Sequence, residues 1–348
     1  MKTVFTSDLT PVLDALAERM KLYVPRRSAD HYVFKPYIPG DAGGDFNNIR
    51  ACTPVKEFLF PLRELTAVFP EPGLSPAAEP FAVFGLKDCD LRSIAILDKV
   101  FLEDEFEDPF YAERRRHMFI IATDCSDPGE SCFCNVMGGA GHPESGFDLS
   151  VAGVKDGWVV QAGSPKAEAF LAGHSHLFVA APDSLAAERD GLRARTQQQL
   201  ADHNADFHFK ADIGEIVQDG HESSVFDEQA ATCVECQACT RICPTCHCFY
   251  LHDEARTSDF AKTRIWDSCM RLSYAAVAGG ANPREYLGER LRHRMMHKFA
   301  YFLDRYGVNM CVGCGRCVDA EAGGIDIRVI LKRLNDEFTK PRKTKVAK

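Results

Sequence analysis

Two short apolar runs, Phe81–Leu86 (FAVFGL) and Met118–Thr123 (MFIIAT), are bounded by turn-forming residues. Their length and composition predict buried strands. Residues 91–101, just after the first run, read as the helix that follows it. Strand followed by helix is the pattern of an α/β unit. Further along, in residues 289–303, Leu291, Met295, Phe299 and Phe302 recur at helical spacing, with Arg290, Arg294 and Lys298 on another face. Sixty-seven residues separate Cys243 from Cys311, and this pattern predicts that they are helical.

Composition narrows the picture. A chain of 348 residues, 45% hydrophobic and 26% charged, is long enough for two or three packed domains. A net charge of −9 disfavours binding to a nucleic-acid backbone, so no nucleic-acid partner is expected. No run of about eighteen apolar residues is present, so no membrane span is expected. The first twenty residues are too polar for the apolar stretch of a signal peptide, and the expected location is the cytoplasm.

The fifteen cysteines change the picture most. In a reducing compartment thiols serve metals or catalysis more than disulfides, and an odd count disfavours a fully paired framework. Ten of them follow residue 232. The run Cys233-Val-Glu-Cys236-Gln-Ala-Cys239-Thr-Arg-Ile-Cys243-Pro244 is the bacterial ferredoxin pattern C-x2-C-x2-C-x3-C-P. A cubane presents four irons, each needing one thiolate, and a loop with cysteine at every third position can wrap three of them. The fourth cysteine of such a run serves the other cluster where there are two, so a second run is expected. Cys311-Val-Gly-Cys314-Gly-Arg-Cys317 provides it. Zinc sites usually join two C-x2-C elements across a longer loop, which fits this spacing less well.

The second run lacks its final cysteine. Glu321 and Ala322 stand where Cys-Pro is expected. Under crossed ligation Cys243, Cys311, Cys314 and Cys317 complete one cluster, and Cys233, Cys236 and Cys239 lack a fourth partner. Glu321 could supply it as a carboxylate, Cys246, Cys248 or Cys269 could supply a thiolate, or the site could keep three irons or an open one. A solvated surface role for Glu321 is an equal alternative. Cationic Arg290, Arg294 and Lys298 could offset cluster charge, but a solvated helix face is the commoner explanation and is the expectation here.

A separate constellation lies upstream. Cys89 and Cys125 fall just past the ends of the two predicted strands, where α/β sheets place their sites, and Cys132-Phe-Cys134 follows. These four could converge on a third cluster, or could be buried structural cysteines; spacing does not decide. Cys52 reads as structural, and His247 has no assignable ligand role. No G-x-G-x-x-G after a strand, Walker loop, nucleophile elbow or H-E-x-x-H helix occurs, and Gly138-Gly-Ala-Gly141 reads as a loop.

Taken together, Pro244-Thr-Cys246-His-Cys248-Phe, Trp266-Asp-Ser-Cys269, Ala278-Gly-Gly280, Arg290-Leu-Arg-His-Arg294 with His297-Lys298, and the second cysteine run resemble the iron–sulfur β subunits of cytoplasmic nickel–iron sulfhydrogenases. They resemble equally the iron–sulfur electron-transfer subunit of anaerobic sulfite reductase and the dicluster subunits of heterodisulfide-reductase-linked complexes. Cys89-Asp, Cys125 and Ser131-Cys132-Phe-Cys134 with Met137-Gly138 extend the resemblance to residues 80–335. It implies electron transfer between a flavoprotein subunit that binds FAD and NAD(P)H and a catalytic redox subunit. It also favours a third 4Fe–4S cluster at Cys89, Cys125, Cys132 and Cys134. Glu321 departs from the family pattern, which has cysteine there.

The expected organisation is an α/β domain over residues 1–225, an α-helical dicluster ferredoxin-like domain over 226–335 and a basic tail over 336–348. The expected function is electron relay through at least two, and with the upstream site three, 4Fe–4S clusters. Two other classes stay open: a catalytic subunit reducing a sulfur substrate at an open iron, and a structural zinc scaffold.

Overall fold

The computed structural model describes residues 3–40, 49–70, 76–209 and 211–339. The described residues divide into two compact units, the first falling within 3–203, 244–266 and 312–315, the second within 204–243, 267–311 and 316–339. The basic end of the expected tail, from residue 340, lies outside the described residues.

The first unit opens with β1 (Thr3–Thr6), α1 (Thr10–Ala17), β2 (Lys21–Ser28) and β3 (His31–Pro36). A short α2 (Lys56–Leu59) and β4 (Arg63–Phe69) come next. The expected strands then appear at the expected residues as β5 (Phe81–Leu86) and β6 (Met118–Thr123), separated by α3 (Asp88–Phe101) and α4 (Pro109–His117). The chain continues through β7 (Leu149–Val154), β8 (Gly157–Ala162), α5 (Pro165–Gly173), β9 (Val179–Ala180) and α6 (Asp183–His203).

Among the described residues, eight strands form one mixed sheet in the order β3-β2-β5-β6-β7-β8-β1-β9. Its centre is parallel, from β2 through β5 and β6 to β7, and its flanks are antiparallel. Every residue of β6 is buried, as a parallel strand covered on both faces requires. One face packs Leu13 and Leu16 of α1 and Phe170 of α5 against Phe84, Phe119 and Ile121. The other packs Ile94, Leu97 and Phe101 of α3 against Val83, Leu86 and Ile120. Each such side chain, fully buried, contributes roughly 2 kcal/mol.

The insert between the cysteine runs departs from the helical expectation. Its first part is a hairpin, β10 (Phe249–Ala255) and β11 (Phe260–Trp266), and β11 pairs with β4 in a three-stranded antiparallel sheet. Buried Arg264 pins it there by pairing with Glu64 of β4 and Asp108 at the start of α4, while Trp266 Nε1 donates to the Phe60 carbonyl at 2.9 Å. A guanidinium that is 4% exposed needs such partners, and they come from far back in the chain.

The second unit is helical: α7 (Ile213–Asp219), α8 (Val225–Ala230), α9 (Ala238–Arg241), α10 (Leu287–Met296), α11 (Phe302–Tyr306), α12 (Arg316–Ala320) and α13 (Ile327–Phe338). α13 buries Ile327, Ile330, Leu331 and Leu334, the i, i+3, i+4, i+7 stripe of a helix with one packed face. Its start is capped by Asp326, which accepts from the Arg328 N–H at 2.8 Å. The units part at His203, because Ile213, Ile216 and Val217 of α7 are buried with this helical group. The helix expected over residues 289–303 is interrupted by one π-helical turn, His297–Tyr301, between α10 and α11. Among the described residues no helix is long and apolar enough to cross a membrane.

Candidate metal centres

Both cysteine runs adopt one unusual backbone path. In the first, Glu235 and Gln237 have positive φ, 53° and 62°, the third and fifth positions counted from Cys233. In the second, Gly313 and Gly315 have φ of 67° and 73°, the third and fifth positions counted from Cys311. Alternating hand along such a loop turns successive N–H groups inward, which makes an anion-binding concavity. A non-glycine residue in the left-handed region costs about 1–2 kcal/mol, so two in one loop imply that something outside local propensity holds them. Each run then enters a short helix with its third cysteine in the first turn, Cys239 in α9 and Cys317 in α12. Gly313 has a further constraint: a Cβ there would run into the carbonyl oxygen of Phe133, whose N–H donates to Gly313 O at 2.8 Å.

The cationic face expected to be solvated is buried. Arg290, Arg294 and Lys298 are only 3%, 4% and 2% exposed. Arg290 Nη1 donates to Glu235 Oε2 at 2.8 Å and to the Met270 carbonyl at 2.9 Å. Arg294 Nη2 donates to the Cys239 carbonyl at 3.2 Å. Lys298 Nζ lies 3.3 Å from Cys243 Sγ. The π turn carries Lys298, and such turns commonly mark functional positions in helices. Burying cations beside thiols is expensive unless the thiols carry negative charge. The i, i+4, i+8 spacing of these three residues is visible in the sequence; their burial is not.

The upstream constellation converges. Cys89, Cys125, Cys132 and Cys134 line one cavity in the first unit together with Arg50, Lys87, Asp88 and Cys314. β5 and β6 deliver Cys89 and Cys125 from their C-terminal ends. Cys89 sits in the first turn of α3, whose positive end favours a thiolate. Asp90 secures that end by accepting from the Lys87 N–H at 3.1 Å. Burial, the largest influence in each case, pushes Cys125 up to about 11 and Cys134 up to about 12. Burial likewise pushes Cys239 up to about 11. A metal displaces those protons when it binds. Lys87, buried and held lower than usual by desolvation, donates to Thr123 Oγ1 at 2.9 Å and the Asp124 carbonyl at 2.7 Å. Arg50 donates to the Cys314 carbonyl. Nothing in the sequence singles out Lys87 or Arg50, because their role depends on tertiary placement.

The remaining candidates are dispersed. Cys246 and Cys248 lie just before β10 in the first unit, and Lys56 Nζ donates to the Cys246 carbonyl at 2.9 Å. Cys269 is buried in the second unit beside Ser268, whose Oγ is 2.8 Å from Thr240 Oγ1. Glu321 is half-buried, with Oε1 4.0 Å from Cys236 Sγ. Cys52 is half-buried, with its N–H donating to the Tyr32 carbonyl at 2.6 Å. None of the fifteen cysteines is in a disulfide.

A family model of the 4Fe–4S dicluster domain matches residues 232–325, which contain both cysteine runs. The chain is also 35% identical over 238 residues to sulfhydrogenase 2 subunit beta of Pyrococcus furiosus, covering 68% of this chain and 69% of that protein. The chain belongs to the sulfhydrogenase β-subunit family. It is an iron–sulfur protein whose C-terminal helical region holds a 4Fe–4S dicluster domain.

The residues present fit such groups. Both runs supply thiols on matched left-handed loops, with buried cations at hand. In the upstream cavity, Asp88, whose Oδ2 is buried without a hydrogen-bond partner, joins the four thiols in the lining. Among the described residues no three His, Cys, Asp or Glu side chains close on a point as ligands of a single ion would. Thiolates on separate corners of a cubane stand further apart, and lining a cavity suits that arrangement.

Proposed function

We propose that this chain is the electron-relay subunit of a multi-subunit oxidoreductase, placed between a flavoprotein that binds FAD and NAD(P)H and a catalytic redox subunit. The observation that carries the reading is the shared backbone path of two cysteine runs with buried cations beside one of them. The relative's name makes it one subunit of a sulfhydrogenase, and a subunit of that kind works with partners. Bound 4Fe–4S clusters supply one-electron storage and transfer; the protein supplies position, dryness and charge.

In this reading Cys233, Cys236 and Cys239 hold one cluster of a helical, ferredoxin-like dicluster domain. Spacing assigns Cys243, Cys311, Cys314 and Cys317 to the second. Cys89, Cys125, Cys132 and Cys134 hold a third, and a cytoplasmic location suits such oxygen-sensitive groups. Lys298 stabilises the charge at Cys243, and Lys87 and Arg50 do the same at the upstream cavity.

The test is purification of the native complex from anaerobically grown cells. The chain should co-purify with a flavoprotein and a second redox subunit, and NAD(P)H should reduce its clusters within the complex. Cys314→Ala should remove one cluster's signal and interrupt electron flow while the subunits stay assembled. A chain that purifies alone, or a Cys314→Ala protein with unchanged iron, contradicts the proposal.

A further inference from the structure

Glu321 occupies the place in the second run that Cys243 occupies in the first. Each lies four residues beyond the third cysteine of its run, Cys239 or Cys317, and just past the short helix that carries it. Crossed ligation sends the side chain at this place to the other run's cluster. The structure puts Glu321 beside the first run accordingly: its Oε1 is 4.0 Å from Cys236 Sγ.

We propose that the Glu321 carboxylate is the fourth iron ligand of the cluster held by Cys233, Cys236 and Cys239. The inference rests on reading those three cysteines as ligands of one cluster. The carboxylate is held in place for the task. Oε2 accepts from the Ile325 N–H at 2.7 Å, which fixes the group and leaves Oε1 turned toward the first run. The loop behind it comes so close to the first run that a Cβ on Gly323 would run into the Thr232 carbonyl oxygen, next to Cys233, and would stand 3.2 Å from Glu321 Oε1. Binding is a simple ligation: a carboxylate oxygen donates a lone pair to iron where thiolate sulfur would otherwise do so, and no electron is transferred. Oxygen is the harder donor and holds iron of a cluster less firmly than thiolate does. The ligated iron is therefore the exchangeable corner.

Cys269 is the competing donor within the same unit, buried close to α9 through the Ser268–Thr240 contact. Electron paramagnetic resonance and iron analysis of the anaerobically purified full chain separate the two, using Glu321→Ala, Glu321→Cys and Cys269→Ala. After mild oxidation, Glu321→Ala should show several-fold more three-iron signal than the parent protein, with a matching loss of iron. Glu321→Cys should suppress that signal below the parent level and lower the potential of one cluster, because thiolate is the stronger donor. Cys269→Ala should resemble the parent. Equal three-iron signals in the parent and both Glu321 variants overturn the proposal, as does a rise confined to Cys269→Ala. Parent protein without iron or sulfide would overturn the cluster reading itself, an outcome distinct from unresponsive Glu321 variants in a protein that holds clusters.

Discussion

Replacing Lys298 with methionine should lower the reduction potential of the cluster that the proposal assigns to Cys243 by on the order of 100 mV. The ammonium is 3.3 Å from Cys243 Sγ and 2% exposed, so little solvent screens it. An added electron raises the negative charge that this cation faces. With an effective dielectric near 20 and a separation of roughly 5 Å, the pair interacts by about 3 kcal/mol, and a one-electron couple shifts by about 59 mV per tenfold change in equilibrium. Methionine keeps most of the packed stem, so the measurement isolates charge from volume. Redox titration followed by electron paramagnetic resonance reads the shift. The other clusters should move far less, and an unchanged potential would mean that Lys298 faces no cluster.

The second large effect concerns stability. Extracting iron under oxidising conditions with a chelator should destabilise the helical unit by several kcal/mol, because metal-binding energy is folding energy where the site is not self-supporting. α9 spans four residues and α12 five, too short to persist through helix propensity. The left-handed Glu235 and Gln237 add local strain, and Arg290, Arg294 and Lys298 would be left buried around neutral thiols. Limited proteolysis should open cuts within 232–243 and 316–325 in the extracted protein. The sheet core of Phe84, Phe119, Ile121 and Val160, which contains no candidate ligand, should resist. Identical proteolysis patterns before and after extraction would contradict this.

How much of this is legible in the sequence follows from the range of the interactions involved. β5 and β6 can be read to the residue because a parallel strand buried on both faces is a continuous apolar run. The cysteine runs can be read because cluster ligation imposes spacing within a single loop. The hairpin cannot: Phe249, Tyr250 and Leu251 are consecutive exposed apolar residues without clean alternation, and what fixes β11 is Glu64, 200 positions from Arg264. Burial of Arg290, Arg294 and Lys298 is likewise a tertiary fact, since a cationic stripe looks the same in sequence whether it faces water or thiols. The convergence of Cys89, Cys125, Cys132 and Cys134 is an even choice from spacing, and the cavity they line supports the cluster reading. Gly313 and Gly315 do carry a local sign of the left-handed path, but Glu235 and Gln237 at the matching places hide that the first run shares it.

Clusters bound by this chain underlie every role assigned to it. Quantifying iron and acid-labile sulfide in anaerobically purified protein, together with electron paramagnetic resonance after reduction, tests that most directly. Iron and sulfide should be present in near-equal amounts, at no fewer than about eight atoms each per chain for two cubanes and about twelve for three, with signals of interacting reduced clusters. Protein that is colourless and free of sulfide, or that holds zinc in place of iron, would contradict it.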